Sequence, residues 1–204
     1  PRDLVRRGGR DADFREQSGL EEMGRRIFAC IDDRYETAEE SARPIVEFAH
    51  DHEVLDLPGR KITEEEAATI TAEKERYEQA APEPGSPEGG RLRKAKRALE
   101  RYRTQGAQPR YGAEVHVLRI GDVVWATNPF ELFLDYGLRI KGRSPAVQTF
   151  VVQLAGDRAL YLPTEKAVAS GHYGTIPTES LVGPDGGEVL VEETLRMIGE
   201  VYRD

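Results

Sequence analysis

Apolar positions recur along the chain at two spacings, one helical and one alternating. Leu20, Met23, Ile27 and Ile31 follow Ser18 at helical spacing and predict a helix into the mid 30s. Residues 45 to 57, IVEFAHDHEVLDL, are β-branched and apolar in patches and end at Pro58-Gly59. They predict a strand with an irregularity near His50 to His52. Thr63-Glu64-Glu65-Glu66 fits a capping box, with Thr63 as N-cap and Glu66 reaching back, and the helix it opens runs to about Ala81. APEPGSPEGG, residues 81 to 90, is too rich in Pro and Gly for helix or strand and reads as a flexible loop. Beyond it Leu92, Ala95, Leu99 and Tyr102 form one helical stripe.

Alternation takes over from Glu114 to Thr127, where EVHVLRIGDVVWAT predicts two strands around a Gly121-Asp122 turn. A helix is expected from Pro129 to about Lys141, then an interior strand in VQTFVVQL, 147 to 154, and a short strand in ALYL, 159 to 162. Residues 165 to 187 are loop-rich and close on GPDGG, which is turn chemistry. Val191, Leu195, Ile198 and Tyr202 mark a last amphipathic helix. No internal repeat appears. The mixed order predicts an α+β (mixed α/β) fold, a mixed sheet with flanking helices.

Composition narrows the classes. The 204 residues carry a formal charge of -8, which argues against broad binding to nucleic acid. No apolar run approaches the roughly 20 residues of a transmembrane segment. Cys30 is the sole cysteine, so no internal disulfide can form, and within IFACI it reads as a small core residue. The compartment stays open between secreted or periplasmic and cytoplasmic. PRDLVRRGGRDADF has neither an initiator Met nor a signal-peptide core, so the chain reads as starting inside a longer protein. Residues 1 to 204 are then a single domain or the C-terminal portion of a larger catalytic one.

Arg91, Arg93, Lys94, Lys96, Arg97, Arg101 and Arg103 make residues 91 to 103 the most positive stretch. A phosphate-binding or partner-docking face is one reading; a solvated helix face over an apolar stripe is the structural one, and it comes first. His50 and His52 share a strand face at a spacing that can suit a metal, but no HExxH, CxxC or third nearby ligand supports it. His116 sits in an alternating strand that can face solvent, and on sequence alone each of His50, His52, His116 and His172 reads as structural. No GxSxG elbow, P-loop or GxGxxG occurs. NPFELFLDY, from Asn128, poses the sharper question. With Asn128 as N-cap and Pro129 at the first helical position, Glu131 falls at N3, where an acid completes a cap and complements the helix dipole. The same place lies just past a strand end, where a carboxylate can bind a cation. Residue chemistry alone favours the cap.

A longer pattern adds to this. IGDVVWATNPFELFLDYGLRIKGRSP, then TFVVQLAG, then YLPTEKAVASGHYG and a Gly-Pro before the terminal helix, resembles the C-terminal part of the catalytic domain of neutral/alkaline non-lysosomal ceramidases. The resemblance covers about residues 113 to 204. It implies a zinc-dependent amidohydrolase that cleaves N-acylsphingosines. It also implies zinc ligands at Glu131, in the run Pro129-Phe130-Glu131, and at Tyr161, in Tyr161-Leu162-Pro163-Thr164. Thr164 and Tyr173 would shape the substrate pocket. Phe130 stands where the family motif has glycine, and no segment matches the motifs that carry the family's zinc histidines and serine nucleophile. The implied partners are therefore the N-terminal remainder of the same protein and a lipid-like or small N-acyl substrate, with no nucleic acid.

Overall fold

A computed structural model of the chain describes residues 17–44, 46–171 and 173–203. The expectations for the first 16 residues and for His172 lie outside them. The chain divides into two compact units, Pro1–Val46 and Glu47–Asp204.

In the first unit, helix α1 spans Gln17–Glu40, as the apolar spacing predicts and somewhat longer. Its Leu20, Met23, Ile27 and Ile31 are nevertheless exposed, and so is Cys30, which overturns the reading of that cysteine as a core residue. A helical stripe fixes which residues share a face, not that the face is covered.

The second unit is built on a four-stranded sheet ordered β1-β2-β3-β5, comprising β1 (Phe48–Pro58), β2 (Arg110–Ile120), β3 (Val123–Thr127) and β5 (Gln148–Val152). β1 and β2 pair antiparallel from Phe48↔Ile120 to Pro58↔Arg110 with no break, so the irregularity expected near His50 to His52 is absent. β2 turns into β3 at Gly121 (φ 57°), as predicted. β3 and β5 run parallel. The expected interior strand is thus an edge strand, with Phe150 and Val152 exposed among the described residues. Its apolar run has an outward row as well as an inward one, and periodicity cannot say whether that row is covered.

Period-2 alternation sends Leu55, Leu57, Ala113, Val115, Val117, Val124 and Ala126 to the inner face. There they meet Tyr136 and Ile140 of α4 (Leu134–Arg143) and Leu190, Val191, Met197 and Ile198 of α6 (Pro184–Glu200). GPDGG is the start of α6: Gly183 is the N-cap and Pro184 takes the first helical position. Gly187 is needed there, because a Cβ would lie 2.3 Å from the Tyr136 hydroxyl oxygen, which itself donates to Pro163 O at 2.9 Å.

α2 (Glu64–Gln79) carries the predicted capping box: Thr63 Oγ1 accepts from Glu66 N at 3.2 Å and Glu66 Oε2 accepts from Thr63 N at 3.0 Å. α3 (Pro87–Thr104) starts inside the stretch expected to be loop, because Ser86 caps Gly89 N and Pro87 presets the first turn. The two helices share a small core of Ile62, Ala67, Ile70, Ala95, Ala98 and Leu99. The architecture is α+β, a mixed sheet with flanking helices.

Candidate functional site

The chain leaving β3 does not become a helix. Asn128 is buried, and its Oδ1 accepts from Phe130 N at 3.1 Å in a local turn. The backbone beyond is committed to other segments. Ala159 N donates to Pro129 O (2.9 Å), Glu131 N to Leu160 O (2.9 Å) and Phe133 N to Leu162 O (3.3 Å). Glu131–Leu132 is strand β4, paired parallel with β6 (Tyr161–Leu162) in the register Glu131↔Tyr161 and Leu132↔Leu162. Helix α4 begins only at Leu134, with Phe133 at its N-cap. The capping role expected for Glu131 is therefore overturned: its N–H is spent on a strand bond, three residues before the helix.

Glu131 and Tyr161 face one another across that pair. The Glu131 carboxylate beside it raises the Tyr161 phenol pKa above its ordinary value. The two side chains border a cavity of about 280 Å³ walled also by Leu132, Phe133, Gln153 and Leu154. Gln153 Oε1 accepts from Leu132 N at 2.9 Å. Two non-glycine residues here have left-handed backbones, Leu154 (φ 58°) and Leu160 (φ 61°), at a cost of order 1–3 kcal/mol each.

The Tyr161 ring is held from two sides. Phe133 meets it edge-on at 6.4 Å between centroids and Tyr173 at 5.9 Å. Gly174 makes this possible, since a Cβ there would lie 2.8 Å from Tyr161 Cγ. Behind the ring, Tyr161 N donates to Glu179 O at 2.9 Å, and the buried Glu179 carboxylate takes Lys94 Nζ at 2.6 and 2.8 Å. Burial works against the Lys94 charge, but the pair with Glu179 outweighs it and leaves the ammonium pKa raised. Tyr173 is largely exposed and borders a separate cavity with Lys94 and Glu179. The structure does not bring Thr164 to the Glu131 cavity. Its hydroxyl caps α5 (Glu165–Ala169) by accepting from Ala167 N, and it borders another cavity with Asp135, Arg139 and Glu188.

The basic helix is only partly a solvated face. Arg101 Nη2 donates to Pro177 O (2.8 Å) and Ser180 O (3.2 Å), while its buried Nε has no partner among the described residues. Burial, with Arg60 nearby, lowers the Arg101 pKa to about 10. Together with Arg93, Lys94, Arg97 and Arg158 it lines a cavity of about 470 Å³.

Among the described residues one group of His, Cys, Asp or Glu side chains, Asp51, Glu53 and Glu200, has its ligand atoms close enough to share a cation as they stand. Arg196 already fills that role, bonding Glu53 at 2.6 Å, Glu200 at 2.8 Å and Glu193 at 2.7 Å. The sequence reading missed Gln153, Glu179 and the Lys94 link to Glu179, because each depends on a long-range pairing with no local signature.

No protein-family profile matches the chain, and no curated protein does. Two solved structures are similar to it, and both are ceramidases. One, a ceramidase complexed with C2, is 21% identical over 42% of this chain with a TM-score of 0.38. The other, the neutral ceramidase from Pseudomonas aeruginosa, is 15% identical over 74% of this chain with a TM-score of 0.45. The chain spans 14% and 28% of their lengths. Likeness at this level does not fix an activity. Among the described residues no helix is long and apolar enough to cross a membrane.

Proposed function

We propose that this chain is the C-terminal portion of the catalytic domain of a zinc-dependent amidohydrolase resembling the neutral ceramidases, acting on the N-acyl bond of a ceramide-like substrate. The placement of Glu131 and Tyr161 side by side across the β4–β6 pair, at the rim of a mostly apolar cavity, is the observation that carries the reading. Two oxygens facing one space suit a hard or borderline cation. A bound Zn²⁺ would supply Lewis acidity toward the substrate carbonyl and lower the pKa of a water or serine hydroxyl.

The chain's own residues do the rest. Glu131 offers a carboxylate oxygen whose backbone is fixed by Leu160 O, and Tyr161 offers a phenol oxygen whose ring cannot swing past Phe133 and Tyr173. Leu132, Phe133 and Leu154 offer an apolar wall, open to solvent, against which an apolar chain can lie. Tyr173 stands at the outer edge of Tyr161, and Thr164 borders the neighbouring cavity. Two protein oxygens are fewer than the three ligands of a catalytic zinc site, so the remaining ligands and the nucleophile come from the N-terminal remainder of the protein. Alone, the 204-residue chain is expected to hydrolyse nothing.

In the protein that carries this chain, Glu131→Gln should lower zinc content and hydrolysis of a short-chain N-acylsphingosine together. If thermal stability alone changes, the reading fails. Turnover of small polar amides or esters in place of the N-acylsphingosine would move the substrate class while keeping the site.

The unpartnered Arg101 Nε beside a cation-lined cavity supports a second reading, an interaction domain that docks an anionic partner through residues 91 to 103. Charge reversal at Arg93 and Lys96 should abolish partner binding under that reading and leave amide hydrolysis intact under the first.

A further inference from the structure

The third ligand that the sequence could not supply to His50 and His52 is provided by strand register. His52 and His116 are direct partners in the β1–β2 ladder, and His50 lies two residues along the same face. Alternation puts all three imidazoles on the outer face of the sheet, opposite the core. Their ring centroids form a triangle with sides of 6.1 Å (His50 to His52), 5.3 Å (His50 to His116) and 5.4 Å (His52 to His116). Three imidazoles around a tetrahedral ion, with ion–nitrogen distances of about 2.0–2.1 Å, would have centroids about 5.2 Å apart. The centroid triangle has nearly that size, while in the present rotamers the ring nitrogens do not all converge on one point.

The hydrogen bonding is also that of a ligating histidine. His116 Nε2 lies 2.8 Å from Glu114 Oε1, and His116 Nδ1 lies 3.0 Å from His50 Nε2. With Nε2–H donating to the carboxylate, the tautomer leaves a lone pair on Nδ1, aimed at the neighbouring ring. A carboxylate on the far nitrogen is the usual partner of a metal-binding imidazole. In the present rotamers the rings stack, with interplanar angles of 4° to 24°, and the Nδ1 lone pair is held by the His50 N–H. An ion would displace that proton, and the rings would turn about their side-chain torsions. His50 and His52 are exposed, so the turn does not disturb the core.

We propose that His50, His52 and His116 form a binding site for a borderline divalent transition metal of the Zn²⁺ class, with Glu114 as a positioning residue for His116. Three neutral imidazoles suit such an ion and leave its fourth position open. The site shares no residue with the Glu131–Tyr161 cavity and does not depend on the function proposed for it.

Titration of the 204-residue chain with Co²⁺, read by its visible ligand-field absorption and followed by Zn²⁺ competition in a calorimeter, tests this. One Co²⁺ per chain should bind at the tightest site with a tetrahedral spectrum, and Zn²⁺ should displace it. His52→Ala and His116→Ala should each weaken that site by at least tenfold. Glu114→Gln, which keeps all three imidazoles, should weaken it by about 10-fold to 100-fold. The double variant Glu131→Gln, Tyr161→Phe should leave the titration unchanged. Far-UV circular dichroism identifies any variant that fails to fold, and Glu114→Gln then decides. Absence of saturable binding, binding that survives the histidine substitutions, or loss in the Glu131/Tyr161 double variant overturns the assignment.

Discussion

Strand register brings polar side chains together twice in this protein, in opposite ways. The β1–β2 ladder runs unbroken from Phe48 to Pro58, and its register is set by the inner row of Leu55, Leu57, Ala113, Val115 and Val117. A slip of one residue would turn that whole row outward, so the histidines opposite are placed as a by-product of core packing. The β4–β6 pair has only two rungs. Its alignment is held from outside, by Asn128, by Glu179 O and by the gap at Gly174, and it is flanked by left-handed leucines at 154 and 160. One arrangement is robust because many interchangeable contacts support it. The other is a specific assembly in which each part counts.

Substitutions should expose that difference. The largest effect is expected from Leu57→Ala, a fully buried side chain in the ladder, which should cost about 2–5 kcal/mol in urea unfolding. The Tyr161 resonances should nevertheless keep their positions in the folded fraction. Gly174→Ala and Asn128→Ala should each cost less, about 1–3 kcal/mol, through overpacking against Tyr161 and an orphaned Phe130 N–H respectively. Both should shift the Tyr161 and Tyr173 ring signals while leaving those of His50, His52 and His116 alone. If the histidine signals moved instead, the two regions would not be independent.

A smaller effect is expected at Tyr111, which packs on Phe130 and donates to Asp157 Oδ2 at 3.1 Å. Burial, with Asp157 beside it, pushes its pKa up to about 12 from an ordinary 10. A folded pKa above the unfolded one gives stability that is full below pH 10 and lost as pH rises through 12. Tyr111→Phe should remove that part of the alkaline decline in urea midpoints between pH 9 and 12. The smallest change belongs to Arg143→Ala, which breaks an exposed pair with Glu192 that links α4 to α6. It should cost under about 1 kcal/mol and less in high salt.

What the sequence disclosed follows the same line. The Thr63–Glu66 capping box, the turn at Gly121 and the α6 stripe depend on residues within a few positions of each other, and each was visible. Glu131 was misplaced onto a helix because Asn-Pro-x-Glu is a sound local cap; the hydrogen bonds that overrule it come from residues 159 to 162, thirty positions away. For the same reason His50 and His52 seemed to lack a third partner, since His116 joins them only through pairing. The Glu131–Tyr161 pairing could be anticipated only from a family resemblance. Exposure of Cys30 and of the β5 outer row was hidden too, because amphipathicity names a face without naming what covers it.

The position of β5 bears on handling the molecule. No strand pairs with its far side among the described residues, so its free amides and carbonyls can template a further strand, and the adjoining Val147 is 84% exposed with no lysine to guard it. Concentrated solutions of the isolated chain should scatter light progressively through edge-to-edge growth. A single Val147→Lys gatekeeper should keep them clear.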